Sequence, residues 1–259
     1  SLGKLFITGV SPITLDDVTS GFNICTNISL VPQFNEVAGF TEDEVVKIWR
    51  HYYGHEVIDI DQRSYLDIVQ QWYNNYKFSP DATQYIYNPD MIFYFIAQYR
   101  YYQHIPEELI DHNVRTDYRK LRHLVVIDRQ LNGNFSILQE IMDRGVIEGK
   151  VEDSFPLESL AEEENFISHL FYLGLVSYTG KNTLNIPNQT VWKLLFRHIR
   201  DAYKDLDIFR PGIWKLQKLI RDMAYQGQWE PCLEFLANEL KNQTTIRDYI
   251  TGEHSIKLL

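Results

Sequence analysis

The sequence predicts a mainly α fold of the α+β kind, helical over most of its length with short β segments between helices. Three observations carry this expectation. Apolar residues recur three and four positions apart through most of the chain, the period of a helix face. Helix start and stop signals bracket those runs, among them Thr41 and Gly54, and Asn88-Pro89. Clustered or alternating β-formers are confined to short stretches near residues 5–10, 146–151 and 175–186.

Composition narrows the class further. Of 259 residues, 44% are hydrophobic and 14% aromatic, which suits a packed core and argues against disorder. The longest apolar runs, at 91–97 and 124–127, fall far short of the roughly 20 residues that cross a bilayer, so no membrane partner is expected. Two distant cysteines, Cys25 and Cys232, supply neither a disulfide framework nor a metal-ligand cluster. Reduced thiols in a cytoplasmic setting are expected. The formal net charge of -10 repels a polyanion from the molecule as a whole, while leaving room for a local basic patch. The chain opens on Ser1-Leu2-Gly3-Lys4 without Met and closes on Ile256-Lys257-Leu258-Leu259. Both ends read as cut from a longer polypeptide, so a fragment is expected.

In chain order, Leu5 to Val10 cluster as a short buried strand that stops at Ser11-Pro12, because proline brings no ladder donor. Residues 14–33, rich in Asp, Thr, Ser and Asn, read as loop. Thr41 followed by Glu44 is a capping box. Val45, Ile48, Trp49 and Tyr52 then keep helical spacing until Gly54. A second helix is predicted over 63–76, with Tyr65, Ile68, Val69 and Trp72 on one face. Asn88 caps a third over 90–102, with Pro89 at its first position. Further helices are predicted over 117–127 and 136–144.

The pattern changes between 135 and 199. An extended segment at 146–151 follows a helix, and another helix is predicted over 157–173. Alternating runs either side of Thr179-Gly180-Lys181-Asn182 predict a hairpin over 175–186. A closing helix over 188–206 carries Val191, Leu194, Leu195 and Ile199 at core spacing. Helix, strand, helix and two-stranded wing is the order of a winged helix. Its second helix brings Glu158, Glu162, Glu163 and Glu164 to the end where a DNA-reading helix meets phosphate. The wing offers Lys181 alone. A protein-packing winged helix is therefore favoured, and Arg197, Arg200 and Lys204 on the next helix keep a DNA-binding alternative. Pro211-Gly212 marks a boundary before two amphipathic helices over 213–226 and 231–242.

Several stretches match one family in the same order: Phe6-Ile7-Thr8-Gly9-Val10-Ser11-Pro12-Ile13, Gly21-Phe22-Asn23-Ile24, Phe34-Asn35-Glu36-Val37-Ala38-Gly39-Phe40-Thr41, Trp72-Tyr73-Asn74-Asn75-Tyr76-Lys77-Phe78 and Tyr87-Asn88-Pro89. Across most of its length the chain resembles bacterial proteins that join an AAA-ATPase-like domain to a C-terminal PD-(D/E)XK nuclease domain. The resemblance implies four parts. Residues 1–35 would be the remnant of the NTPase core with its last strand, and 36–130 a helical lid. Residues 131–206 would be the winged helix, and 207–259 a helical linker with the start of the nuclease-like domain. ATP and Mg²⁺ are implied for the parent protein. In this chain no cofactor is expected, because no G-x-x-x-x-G-K-[S/T] phosphate loop occurs in it. Implied partners are the missing NTPase core and nuclease domain of the same polypeptide, with DNA for the parent only. The alternative is a protein-interaction adaptor.

The candidate chemistry is sparse. By the resemblance, Thr8 is the sensor-like residue of the last core strand, with Ser11 beside it as a second nucleotide-binding candidate. Read from the residues alone, Thr8 is a β-branched strand residue and Ser11 a turn starter. The resemblance also makes Glu253 one acid of a nuclease site whose remaining acids and lysine lie beyond Leu259, so that site is incomplete. Asp16-Asp17 reads as a turn or helix cap. His51 and His55 share an i, i+4 spacing but lack the internal Glu of a zinc protease. The aromatics Trp49, Tyr52, Trp72, Tyr73, Tyr76, Phe93, Tyr94, Tyr99 and Tyr102 recur at helical spacing without interleaved cations, and are expected to pack a core.

Overall fold

The computed structural model describes residues 6, 8–9, 13–14, 26–54, 59–60, 63–111, 114, 126–127, 130–131, 133–153, 155–156, 159, 162–205 and 212–243. Eight α-helices run through them: α1 (Glu42–Tyr53), α2 (Tyr65–Tyr73), α3 (Pro89–Tyr102), α4 (Gly133–Arg144), α5 (Glu163–Tyr172), α6 (Gln189–Asp205), α7 (Ile213–Gln226) and α8 (Glu230–Gln243). The strands are short: β1 (Ile13–Thr14), β2 (Asp59–Ile60), β3 (Arg63–Ser64), β4 (Val126–Ile127), β5 (Gln130–Leu131), β6 (Val146–Glu148), β7 (Phe155–Pro156), β8 (Ser177–Tyr178) and β9 (Thr183–Asn185). The protein is thus mainly helical, with one three-stranded antiparallel sheet in the order β6-β9-β8. It divides into two compact units, residues 1–125 with 131–195 and residues 126–130 with 196–259.

Helix α1 forms where its signals place it. The Thr41 hydroxyl accepts from the Glu44 N–H, while the Glu44 carboxylate accepts from the Thr41 N–H at 2.9 Å. These bonds, that to the Thr41 backbone foremost, hold the Glu44 carboxyl below its ordinary range. Gly54 ends the helix at φ 93°, a conformation a side chain disfavours. Asn88 caps α3 through its Oδ1, which accepts from the Met91 N–H. Helix α2 is shorter than its periodicity suggests. It stops at Tyr73 because Asn75 takes φ 71°, turning the chain out of the helix.

Helices α1, α2 and α3 share one aromatic core. Trp49 stacks on Tyr65 at 3.9 Å between centroids, and Phe95, Tyr73 and Tyr99 close around them. The expected aromatic core is there, though not for every ring: Tyr52, Phe93 and Tyr102 face solvent. Two buried hydroxyls reach backbone carbonyls. Tyr73 donates to Leu109 and Tyr53 to Ile96, each at 2.8 Å.

Helix α4 leads through Gly145 (φ 72°) into β6, and helix α5 through Gly174 (φ 71°) towards β8. The β8–β9 hairpin turns at the predicted residues, with the Thr179 N–H bonding back to the Thr183 carbonyl at 2.9 Å. The sheet buries Ile147, Tyr178 and Leu184, and the Tyr178 ring meets Phe171 of α5 at 5.2 Å between centroids.

Three expectations need correction. Phe6, Thr8 and Gly9 lie in no strand, and the strand near them is β1, one step further on. A strand forms only where a neighbour supplies hydrogen bonds, and β1 finds β7 in parallel register, Ile13 with Phe155. Val126 and Ile127 are extended rather than helical, as β-branched residues prefer; residues 117–125 lie outside the described set. Helix α5 starts at Glu163 rather than near 157, after a turn in which the Glu162 N–H bonds to the Ser159 carbonyl.

Gly39 lies where a Cβ would come within 2.9 Å of the Ile86 side chain, itself buried. Gly39→Ala is expected to destabilise the protein by about 1–3 kcal/mol through overpacking, read as a lower urea midpoint at unchanged slope.

Candidate functional site

Three segments meet in the first unit, residues 34–41, 72–78 and 84–89, irregular over 35–41, 74–78 and 84–88. Their backbones pair directly. Phe40 and Tyr87 exchange N–H···O bonds of 3.1 and 2.7 Å, and Tyr76 and Ile86 exchange bonds of 3.2 and 2.9 Å. The Tyr178 N–H of β8 then bonds to the Lys77 carbonyl, extending the contact to the hairpin.

Side chains complete this joint, and asparagine dominates it. Asn35 is buried, donating to the Gln84 carbonyl at 3.0 Å and accepting from the Phe78 N–H at 2.8 Å. Asn75 donates to the Pro187 carbonyl, and Asn188 to the Asn74 carbonyl at 2.8 Å. Asn188 also caps α6, accepting from the Val191 N–H at 3.2 Å. The Thr190 hydroxyl donates to the Trp72 carbonyl at 2.7 Å, while the Lys193 ammonium sits 4.4 Å from the Trp72 ring centroid. The Lys77 N–H donates to the Ser177 hydroxyl at 2.8 Å. Thus α6 and the hairpin grip the loop after α2 from two sides.

Beside the joint lies a cleft of about 190 Å³, lined by Tyr76, Tyr87, Tyr172 and Asn88 together with Phe78 and Ile86. Burial pushes the Tyr76 hydroxyl up, and side-chain hydrogen bonds with Asn188 and Asn88 pull it partly back. Burial likewise raises Tyr87, reinforced by the Glu42 carboxylate, and raises Tyr172, reinforced by Asp153. These phenols stay protonated at neutral pH. Among the described residues that line the cleft there is no carboxylate, imidazole, thiol or amine.

The residues singled out for chemistry are not gathered there. Thr8 is exposed, and no hydrogen bond joins it to another of the described residues. Ser11, Glu253, Asp16, Asp17, His55 and Cys25 lie outside the described residues. His51 is exposed, its ring edge-on to Tyr52 at 5.4 Å. Among the described residues no three His, Cys, Asp or Glu side chains group as metal ligands, and no helix is long and apolar enough to cross a membrane.

The α5 end carries the acidic face expected of it. Glu162, Glu163 and Glu164 stand at its first turn, where carboxylates suit the helix dipole. Glu163 also borders a groove of about 500 Å³ with Glu148, Ile137 and Ile167, and with Glu140 held by Arg144 at 2.6 Å. The asparagine joint was only half legible beforehand. Asn88 announces itself as a cap by the proline after it, whereas Asn35, Asn75 and the Asn188 amide donor bond to chain 43 or more residues away.

No family model, curated protein or solved structure matches this chain.

Two outcomes follow from this geometry. Asn188→Ala removes a helix cap and leaves the buried Asn74 carbonyl without its donor, so a loss of about 2–4 kcal/mol is expected in urea unfolding. His169 is buried against Phe155, its Nδ1 has no partner, and burial lowers its pKa. The unfolded chain therefore takes up this proton first. Stability is retained above the ordinary histidine value of about 6.5 and falls as pH drops from there towards the lowered folded value. His169→Phe is expected to flatten that slope in melts recorded across the window.

Proposed function

We propose that the chain is a coupling segment, a helical lid and a winged helix, of a bacterial AAA-ATPase-like protein joined to a PD-(D/E)XK nuclease domain. The observation that carries the reading is the joint. The segments at 34–41, 72–78 and 87–89, on which the resemblance rests, bond to one another and to the hairpin and α6. A movement imposed on α1–α3 passes through these bonds to the sheet-bearing part, which is what a relay between two catalytic domains needs.

The winged-helix part of the reading is supported by element order and pairing. α4, β6, α5, β8, β9 and α6 follow one another, and β6 pairs with β9 rather than with β8. The acids at the start of α5 favour packing against protein over reading DNA. In this reading ATP and Mg²⁺ belong to the parent's NTPase core. Thr8 and Ser11 border that core and Glu253 the nuclease. DNA is a substrate of the parent alone, and the setting is cytoplasmic.

A second reading, an adaptor for a protein partner, is favoured by the acidic groove between α4, β6 and α5. The sequence upstream of Ser1 in the gene separates the two: a glycine-rich loop ending in Lys-Ser/Thr supports coupling, and its absence supports the adaptor. The purified chain, with ATP or plasmid DNA and Mg²⁺, is expected to show neither hydrolysis nor cleavage above buffer. Robust magnesium-dependent turnover that survives repurification would refute the coupling role.

A further inference from the structure

The second unit contains a hairpin of α7 and α8 that packs through Leu216, Cys232 and Phe235, with Leu219 and Leu236 against them. Lys215 joins that inner side, its ammonium 5.1 Å from the Phe235 ring centroid. The opposite side of α7 has an unusual make-up. Trp214, Lys218, Arg221 and Tyr225 are separated by four, three and four residues. At about 100° per residue they fall within an arc of roughly 60°, and the two rings stand about 16 Å apart along the axis. All four are exposed, Trp214 at 88% and Tyr225 at 84%. None forms a hydrogen bond, ion pair or ring contact among the described residues.

Large rings left almost wholly in water are the informative exception on a protein surface. Here they alternate with cations on one stripe. A helix lying on an anionic bilayer keeps its rings on one face and its Lys and Arg on the other, which is not this arrangement. The hot spot of a protein interface centres its rings in a packed pocket sealed by neighbours, whereas these rings stand at the two ends of a narrow row. The combination matches a ligand that presents negative charge and flat faces in alternation. Single-stranded nucleic acid does so: phosphates pair with Lys218 and Arg221, and unstacked bases lie on Trp214 and Tyr225. The acids of the hairpin, Asp222, Glu230, Glu234 and Glu239, lie off the stripe, and Asp222 forms no ion pair with Lys218 although it stands four residues on. The overall charge of -10 limits the affinity and makes it salt-dependent, without removing this local complementarity.

We propose that the exposed stripe of α7, Trp214-Lys218-Arg221-Tyr225, is a binding site for single-stranded nucleic acid.

The test is fluorescence anisotropy on the full chain at low salt. Labelled oligodeoxythymidine and oligouridine of roughly sixteen nucleotides, near the upper size for one small binding module, serve as probes. Both are expected to bind, or one in preference, which assigns the site to DNA or RNA. The log–log salt slope should be about -1.4, the value for two phosphate contacts on a single strand. Trp214→Ala and Tyr225→Ala should each weaken binding about tenfold with the slope unchanged. Lys218→Ala with Arg221→Ala should bring the slope close to zero. Far-UV circular dichroism and thermal melts of these surface variants should match the parent chain. The proposal is overturned by absent binding of both probes, or by tighter binding of a duplex of the same length. Equal retention on heparin with no effect of Trp214→Ala, or capture by phosphatidylserine vesicles in place of the oligonucleotides, overturns it too.

Discussion

Irregular backbone can be buried only if its N–H and C=O groups find partners inside the protein, and the first unit is organised around meeting that condition. Residues 35–41, 74–78 and 84–88 run between the α1–α3 core and the sheet-bearing part without forming a helix or a full strand of their own. Their polar groups are satisfied by isolated bridges, by β8 and by amide side chains reaching across from elsewhere. Asparagine suits this work because one short side chain both donates and accepts. Asn35 uses the two functions to tie residue 78 to residue 84, and Asn188 uses them to cap α6 and hold the Asn74 carbonyl.

The same constraint explains why α6 bears on the end of α2. Its first turn holds the cap Asn188, the hydroxyl of Thr190 and the ammonium of Lys193, and each of these reaches the segment at the end of α2. A seam with this many directional bonds resists sliding, because sliding it breaks several hydrogen bonds at once. The phenols around the neighbouring cleft stay protonated and act as hydrogen-bonding groups rather than titrating ones.

Electrostatics divides the molecule differently from its fold. The overall charge and the carboxylates at the start of α5 turn polyanions away from the sheet-bearing part, whereas the outer face of α7 concentrates Lys218 and Arg221 between two open rings. Net charge is an average over the surface, and binding depends on the field within about a Debye length of the ligand. An acidic protein can therefore carry a local site for an anion.

Sequence alone determined what depends on neighbours within a turn or two. The capping box at Thr41 and Glu44, the Asn88-Pro89 start of α3, the hairpin turn at 179–182 and the amphipathic pair at the C-terminal end are all local chemistry, and all are present in the fold. The strand expected at residues 6, 8 and 9 and the helix expected through 126–127 fail for the converse reason. A strand exists only where another segment offers hydrogen bonds, and weak helical periodicity gives way to β-branched residues when it does. The tertiary structure decided which rings became core and which stayed in water: Trp49 and Tyr99 went inside while Tyr52 and Tyr102 did not, despite equal helical spacing. It also decided that Asn35, Asn75 and Asn188 are joints rather than loop residues, since apart from the Asn188 cap on α6 their partners lie 43 or more positions away and no short-range pattern encodes a bond made only after the chain has folded.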